Sequence, residues 1–185
     1  MGGRSGQSLG GGANVSGADY AEASKKDWYQ SYYNGNENEK TLNAYAERGF
    51  QVNYNIRDGN LDKADKQYIE NLDKSLNKLP TEKEQKLYRG VNLPNSIFEN
   101  IEEGGSIKFK GFTSTTKDKK AVDNFKGKNK NNESTPIVFN IISHKNGKSI
   151  EKYSNIKSEQ EVLFKRNTNW KIIKKEGNQI TIKQI

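Results

Sequence analysis

The sequence predicts an α+β domain, and two observations carry that prediction. Apolar residues recur at helical spacing up to about residue 79; beyond it the spacing drops to two, and the alternating residues are β-branched or aromatic. Helices in one block and strands in another, without regular strand–helix alternation, argue against a parallel doubly wound sheet. The 185 residues, 31% hydrophobic and 29% charged, suit one domain around a single core.

The elements follow in order. Residues 1–17 hold seven glycines among Ser, Gln and Asn, a composition that cannot offset the entropy of ordering; they read as a flexible tail or linker, with the folded domain over residues 18–185. In the helical block Trp28, Tyr32, Tyr33, Leu42, Tyr45, Phe50 and Tyr54 are punctuated by Gly49, Asp58 and Gly59, giving three or four short helices. The clearest is at residues 65–78. Leu72, Leu76 and Leu79 fall at i, i+4 and i+7, Ile69 lies three earlier, and Pro80 ends the run. Strands are expected at residues 87–91, 107–112, 136–143, 161–165, 170–174 and 180–185. A short helix at about 118–126 interrupts them, followed by a mobile loop over 127–135, rich in Lys, Asn and Gly. Trp170 reads as core, and His144 as a loop residue.

Composition removes several function classes. With no cysteine there is no disulfide scaffold, thiol nucleophile or thiolate zinc site, and the single histidine, His144, excludes any site needing two imidazoles; no metal is expected. Apolar runs such as Ile137-Val138-Phe139 fall far short of the roughly 20 residues of a membrane-spanning helix. The first thirty residues lack the apolar core and cleavage site of a secretory signal, so the chain stays where it is made or is exported by another device. The net charge of +8 is compatible with nucleic acid, an anionic surface or an acidic protein, and selects none.

Three features stand out: Arg89 in the first strand, the hydroxyl run Thr113-Ser114-Thr115-Thr116, and Glu159 with Glu161 at a strand start. Taken singly, each has a plain structural reading as surface arginine, turn or cap, and solvated acids. Their order is more specific. Leu87-Tyr88-Arg89-Gly90-Val91, then Gly111-Phe112-Thr113-Ser114-Thr115-Thr116, then Ser158-Glu159-Gln160-Glu161-Val162-Leu163-Phe164 resembles the mono-ADP-ribosyltransferases, in the Arg/Ser-Thr-Ser/Glu-x-Glu branch of the binary actin-modifying toxins and Rho-modifying exoenzymes. Asn53-Tyr54-Asn55-Ile56-Arg57 is similar to that family's helical Asn-x-x-Leu-Arg element, and Phe125, eleven residues after Ser114, stands where the family has a nicotinamide-stacking aromatic. The resemblance covers residues 42–173.

It implies the ADP-ribosyltransferase fold: N-terminal helices packed on two roughly perpendicular small sheets with an NAD cleft. It also implies transfer of ADP-ribose from NAD, as substrate, to a protein side chain. The residue types suit that chemistry. Breaking the nicotinamide–ribose bond builds an oxocarbenium-like cation, which a carboxylate stabilises, and Glu161 is the candidate. Period two puts Glu159 on the same side, to orient and help deprotonate an incoming guanidinium. Arg89 offers a fork for the pyrophosphate, with Arg57 and Asn53 reaching the ligand from the helical side and Lys128 at the place of a phosphate-contacting Arg. Ser114 would hydrogen-bond Glu161, Gly90 would let its backbone approach the nicotinamide amide, and Phe125 would stack on the ring.

Departures from the family bear on the acceptor. Two glutamates point, by resemblance, to arginine, whereas Ile156 replaces the aromatic that actin-modifying toxins carry three residues before Glu159. The hydroxyl motif ends in Thr116 rather than Ser, and Tyr45 and Asn53 are one residue closer than usual. Tyr153 and Ile156, with Glu159, are the expected contacts of an unidentified acceptor protein. A monomer is expected, acting as a secreted or delivered effector or as part of a phage. Rival readings are an NAD glycohydrolase, a catalytically idle binding module appended to a larger secreted or phage assembly, and a basic nucleic-acid binder. Nucleic acid is not the expected partner, because residues 117–130 carry many lysines but no binding motif and read as a solvated helix and loop over the dinucleotide.

Overall fold

A computed structural model describes residues 36–123 and 133–185; the expectations for the tail, Trp28, Tyr32, Tyr33, Phe125 and Lys128 lie outside them. Helix α1 spans Glu37–Asp58. Asn36 starts it with a capping box: its Oδ1 accepts from Glu39 N at 3.0 Å, and the Glu39 carboxylate accepts from Asn36 N at 3.3 Å. Gly59, at φ 78°, ends it in a left-handed conformation that glycine adopts without strain. Arg48 breaks the helical run (φ −137°, ψ 23°) just before Gly49, so two of the short helices predicted there are joined end to end through a kink. Helix α2, Lys63–Lys78, starts two residues earlier than predicted because Asp62 and Asp65 form a second capping box. Leu42, Tyr45 and Val52 of α1 and Ile69, Leu72 and Leu76 of α2 share a buried core with Phe112, Ile150 and Leu163.

The strands are β1 (Leu87–Pro94), β2 (Ser106–Phe109), β3 (Thr113–Thr116), β4 (Ser134–Ser143), β5 (Lys148–Ser149), β6 (Glu161–Phe164), β7 (Thr168–Glu176) and β8 (Gln179–Gln184), with short helices α3 (Asn95–Glu99) and α4 (Lys119–Asp123) between them. They form one ladder in the order β2-β7-β8-β4-β1-β3-β6-β5, antiparallel except for β4 with β8. Its two ends are nearly separate sheets. Whereas β1 pairs with β4 along its whole length, it meets β3 at the single register pair Tyr88↔Thr116. The two small sheets of the sequence reading are thus a five-strand and a three-strand end, joined where β1 and β3 part.

Strand β6 shows how the layers stack. Leu163 points into the helical core, while Val162 and Phe164 belong to a second core with Leu87, Phe139, Trp170, Ile180 and Ile182 of the five-strand end. Buried on both faces, β6 lies between the helices and the larger half of the sheet. Trp170 is fully buried, as predicted, and packs edge-on against Phe164 with ring centroids 5.1 Å apart. Thr135, assigned to a loop from the sequence, is in β4, paired with Leu93. Among the described residues no helix is long and apolar enough to cross a membrane.

Candidate active site

Where β1 and β3 diverge, backbone groups of β3 lose their strand neighbour, and polar side chains take its place. Arg89, on the inner face of β1, is buried and donates from Nη1 to the Ser114 carbonyl at 3.0 Å. Its guanidinium carbon lies 5.3 Å from the centroid of the Phe109 ring, a cation–π contact. Burial lowers its pKa to about 10, opposed first by Tyr45 and more weakly by Glu161, with the charge of Arg57 adding to the lowering. The group remains a cation at neutral pH. Its Nε–H is buried with no hydrogen-bond acceptor among the described residues, a property suited to an anionic ligand.

Ser114 is fully buried, and its Oγ is 3.0 Å from the Tyr45 hydroxyl. Asn53 Nδ2 donates to that hydroxyl at 2.9 Å and to the Phe112 carbonyl at 3.0 Å, and Asn53 Oδ1 accepts from Phe112 N at 2.8 Å. In the β3–β6 ladder Ser114 faces Leu163 and Thr116 faces Glu161. All four side chains therefore share the face turned to the helices, with Ser114 diagonal to Glu161. Glu161 is 1% exposed, a carboxylate enclosed beside the Arg89 cation.

The period-two argument for Glu159 is corrected by the structure. Residues Lys157–Glu159 form a 3₁₀ turn, and Gln160 sits in the left-handed region (φ 44°, ψ 52°), so strand β6 begins only at Glu161. Alternation does not extend across a left-handed residue. Glu159 is half-buried and is placed instead by its backbone, whose carbonyl accepts from Thr116 Oγ1 at 2.5 Å. Beside it the Gln160 carbonyl accepts from Lys117 N at 3.3 Å. Lys117 Nζ bridges Glu82 at 3.1 Å and Glu151 at 3.2 Å. Burial opposes its charge, but the two carboxylates outweigh burial and raise its pKa.

Of the other candidates, Gly90 is buried beside Arg89, and Arg57 is exposed on the last turn of α1. Tyr153 is half-buried against the helical core, while Ile156 is 40% exposed. The structure thus brings together Arg89, Ser114, Glu161, Glu159, Asn53 and Arg57 around the parting of β1 and β3. Sequence reasoning named Thr116 in the hydroxyl motif without giving it a role, and gave Tyr45, Lys117 and Phe109 no part in the site. Tyr45 had one signal, its spacing of eight residues from Asn53. Lys117 had none, because its partners come from two distant loops. Among the described residues no group of three His, Asp or Glu is arranged to hold a metal ion.

Comparison with known proteins identifies the family and the fold. Residues 18–184 match the family described as ADP-ribosyltransferase exoenzyme. The chain is 31% identical over 134 residues to Mav of Mycobacterium avium (strain 104), provisionally named an NAD(+)–arginine ADP-ribosyltransferase, covering 71% of this chain and 15% of Mav. It is 31% identical over 102 residues to the Photox toxin of Photorhabdus laumondii, covering 52% of this chain and 22% of that toxin. This chain therefore spans a small part of the length of either relative. Among solved structures, the Vibrio splendidus ADP-ribosyltransferase Vis in complex with agmatine superposes with a TM-score of 0.68 at 23% identity, covering 93% of this chain and 87% of Vis. The Clostridium limosum C3 exoenzyme gives 0.60 at 20% identity, covering 91% and 94%. At these identities the structural likeness establishes the fold.

Proposed function

This chain belongs to the ADP-ribosyltransferase exoenzyme family, and from that premise we propose that it transfers ADP-ribose from NAD to an arginine side chain of a protein, releasing nicotinamide. The observation that carries the proposal is the convergence of Arg89, Ser114 and Glu161 from three neighbouring strands, with the Arg89 fork on the Ser114 carbonyl at 3.0 Å.

In this reading Arg89 holds the pyrophosphate, with Arg57 and Lys128 adding charge, and Gly90 and Phe125 bound the nicotinamide. The bond from nicotinamide nitrogen to ribose breaks, and the leaving group takes the bonding pair. The carboxylate of Glu161 stabilises the positive charge that develops on the sugar. Glu159, on the 3₁₀ turn before β6, orients the incoming guanidinium and takes the proton it loses on forming the new carbon–nitrogen bond. Tyr153 and Ile156 meet the acceptor protein. Arginine as acceptor is supported by the paired glutamates, the name given to Mav and the agmatine bound to Vis. A role as a secreted or delivered effector is supported by the toxins among its relatives.

The test is incubation of the purified chain with labelled NAD and agmatine, following free nicotinamide and labelled agmatine. Glu161→Gln is expected to lower both about 100-fold or more, and Glu159→Gln to remove transfer while largely sparing nicotinamide release. Equal transfer by both variants and the parent would refute the assignment. Nicotinamide release by the parent with neither agmatine nor protein labelled would replace the transferase by a glycohydrolase.

A further inference from the structure

We infer that Tyr45 and Asn53 are positioning residues, which hold the strand carrying Ser114 and, through it, the Arg89 fork, and that Asn53 does not touch the dinucleotide. Phe112, just before β3, and Ser114 and Thr116 within it alternate along the edge that faces β1. Only Thr116 finds a strand neighbour there, in Tyr88. The Ser114 carbonyl is met by Arg89 Nη1, and the Phe112 N–H and C=O are met by the Oδ1 and Nδ2 of Asn53. The Asn53 amide thus acts as the peptide group of the missing neighbour.

Its remaining donor hydrogen goes to the Tyr45 hydroxyl, so both N–H groups are in use, in a side chain that is 0% exposed. The hydroxyl of Tyr45, also 0% exposed, lies 3.0 Å from Ser114 Oγ, a hydrogen bond in which either oxygen can donate. Two glycines make room for the pair. A Cβ at Gly111 would lie 2.6 Å from Asn53 Oδ1, and one at Gly49 would lie 2.5 Å from the Tyr45 ring. Gly49 directly follows the kink at Arg48. From α1 through β3 to Arg89 the hydrogen bonds form one continuous path.

The kinetic arm of the test rests on the proposed cleavage of NAD; the second arm does not. Tyr45→Phe removes one hydroxyl and leaves no cavity. It is expected to lower kcat/KM for nicotinamide release about fivefold, the equivalent of one buried hydrogen bond, and to cause no further loss in a Ser114→Ala background. Losses that multiply in the double variant would overturn the inference. In the second arm, Asn53→Ala is expected to speed amide exchange at Phe112 about tenfold or more while leaving Ile182, in the far strand β8, unchanged. Unchanged protection at Phe112 would overturn the inference. If the parent cleaves no NAD, the transferase reading fails and the exchange result alone judges the positioning role.

Discussion

Arg89 and His144 show how one physical effect, burial, has different consequences in two bases. In Arg89 the lowered pKa of about 10 leaves the cation intact at neutral pH, because arginine starts so high. In His144 the shift falls in the working range. Its ring is 5% exposed, lies edge-on to Phe164 at 5.5 Å and accepts from Gln85 N through Nε2 at 3.4 Å. Burial lowers its pKa below 6.5, against the pull of Glu84 and Glu82. The unfolded chain therefore binds this proton more readily than the folded one. Stability from this residue is complete above pH 6.5 and declines as pH falls through 6.5 to the lower folded value. Thermal melts from pH 8 to 5 are expected to show a drop that His144→Gln lessens, with the two profiles parallel above about pH 7.5; parallel profiles throughout would contradict it. Sequence placed His144 correctly outside a strand, but not in the interior. Its neighbours Ser143 and Lys145 are polar, and the ring that covers it comes from β6.

At the scale of elements, the acceptor loop from β5 to β6 is fixed by the end of β3. Thr116 holds the Glu159 carbonyl, the Lys117 backbone holds Gln160, and the Lys117 ammonium holds Glu151 and Glu82. The two carboxylates come from the loop after α2 and the 3₁₀ turn Glu151–Tyr153, so one side chain braces three segments. Lys117→Met keeps the stem and loses the brace. It is expected to lower arginine transfer relative to NAD hydrolysis about three- to fivefold, the scale of a partly buried ion pair, and to leave KM for NAD unchanged. A ratio equal to that of the parent would mean the loop is held without it. This brace was invisible in the sequence, where Lys117 is one of many lysines in a polar stretch. The strand containing Glu161 was legible from alternation, but its start was not. The left-handed Gln160 is a conformation imposed by the loop's anchors, at some local cost for a residue with a Cβ.

Across the whole molecule, two cores share one strand. Leu163 of β6 lies in the helical core, and Val162 and Phe164 lie in the core of the five-strand end. Loss of packing in one core should therefore be felt in the other. Trp170→Ala, in the second core, is expected to cost about 3–5 kcal/mol. Urea unfolding should remain one transition, with far-UV dichroism of the helices and tyrosine fluorescence coincident; separate transitions would show that β6 does not couple the cores. The sequence by itself determined the α+β class, six of the eight strands and the ends of the two long helices, because period, caps and proline act over a few residues; it ran a strand through residues 110–112 and missed β3 and the two-residue β5. It also determined the order of the three motifs, which is a property of the chain alone. Only the tertiary structure decided that Asn53 pairs with the Phe112 peptide, that Tyr45 lies on Ser114, that Lys117 braces the acceptor loop and that Glu159 leaves the strand face. Those outcomes depend on partners tens of residues apart, and on the need of every buried polar group at the parting of β1 and β3 to find one.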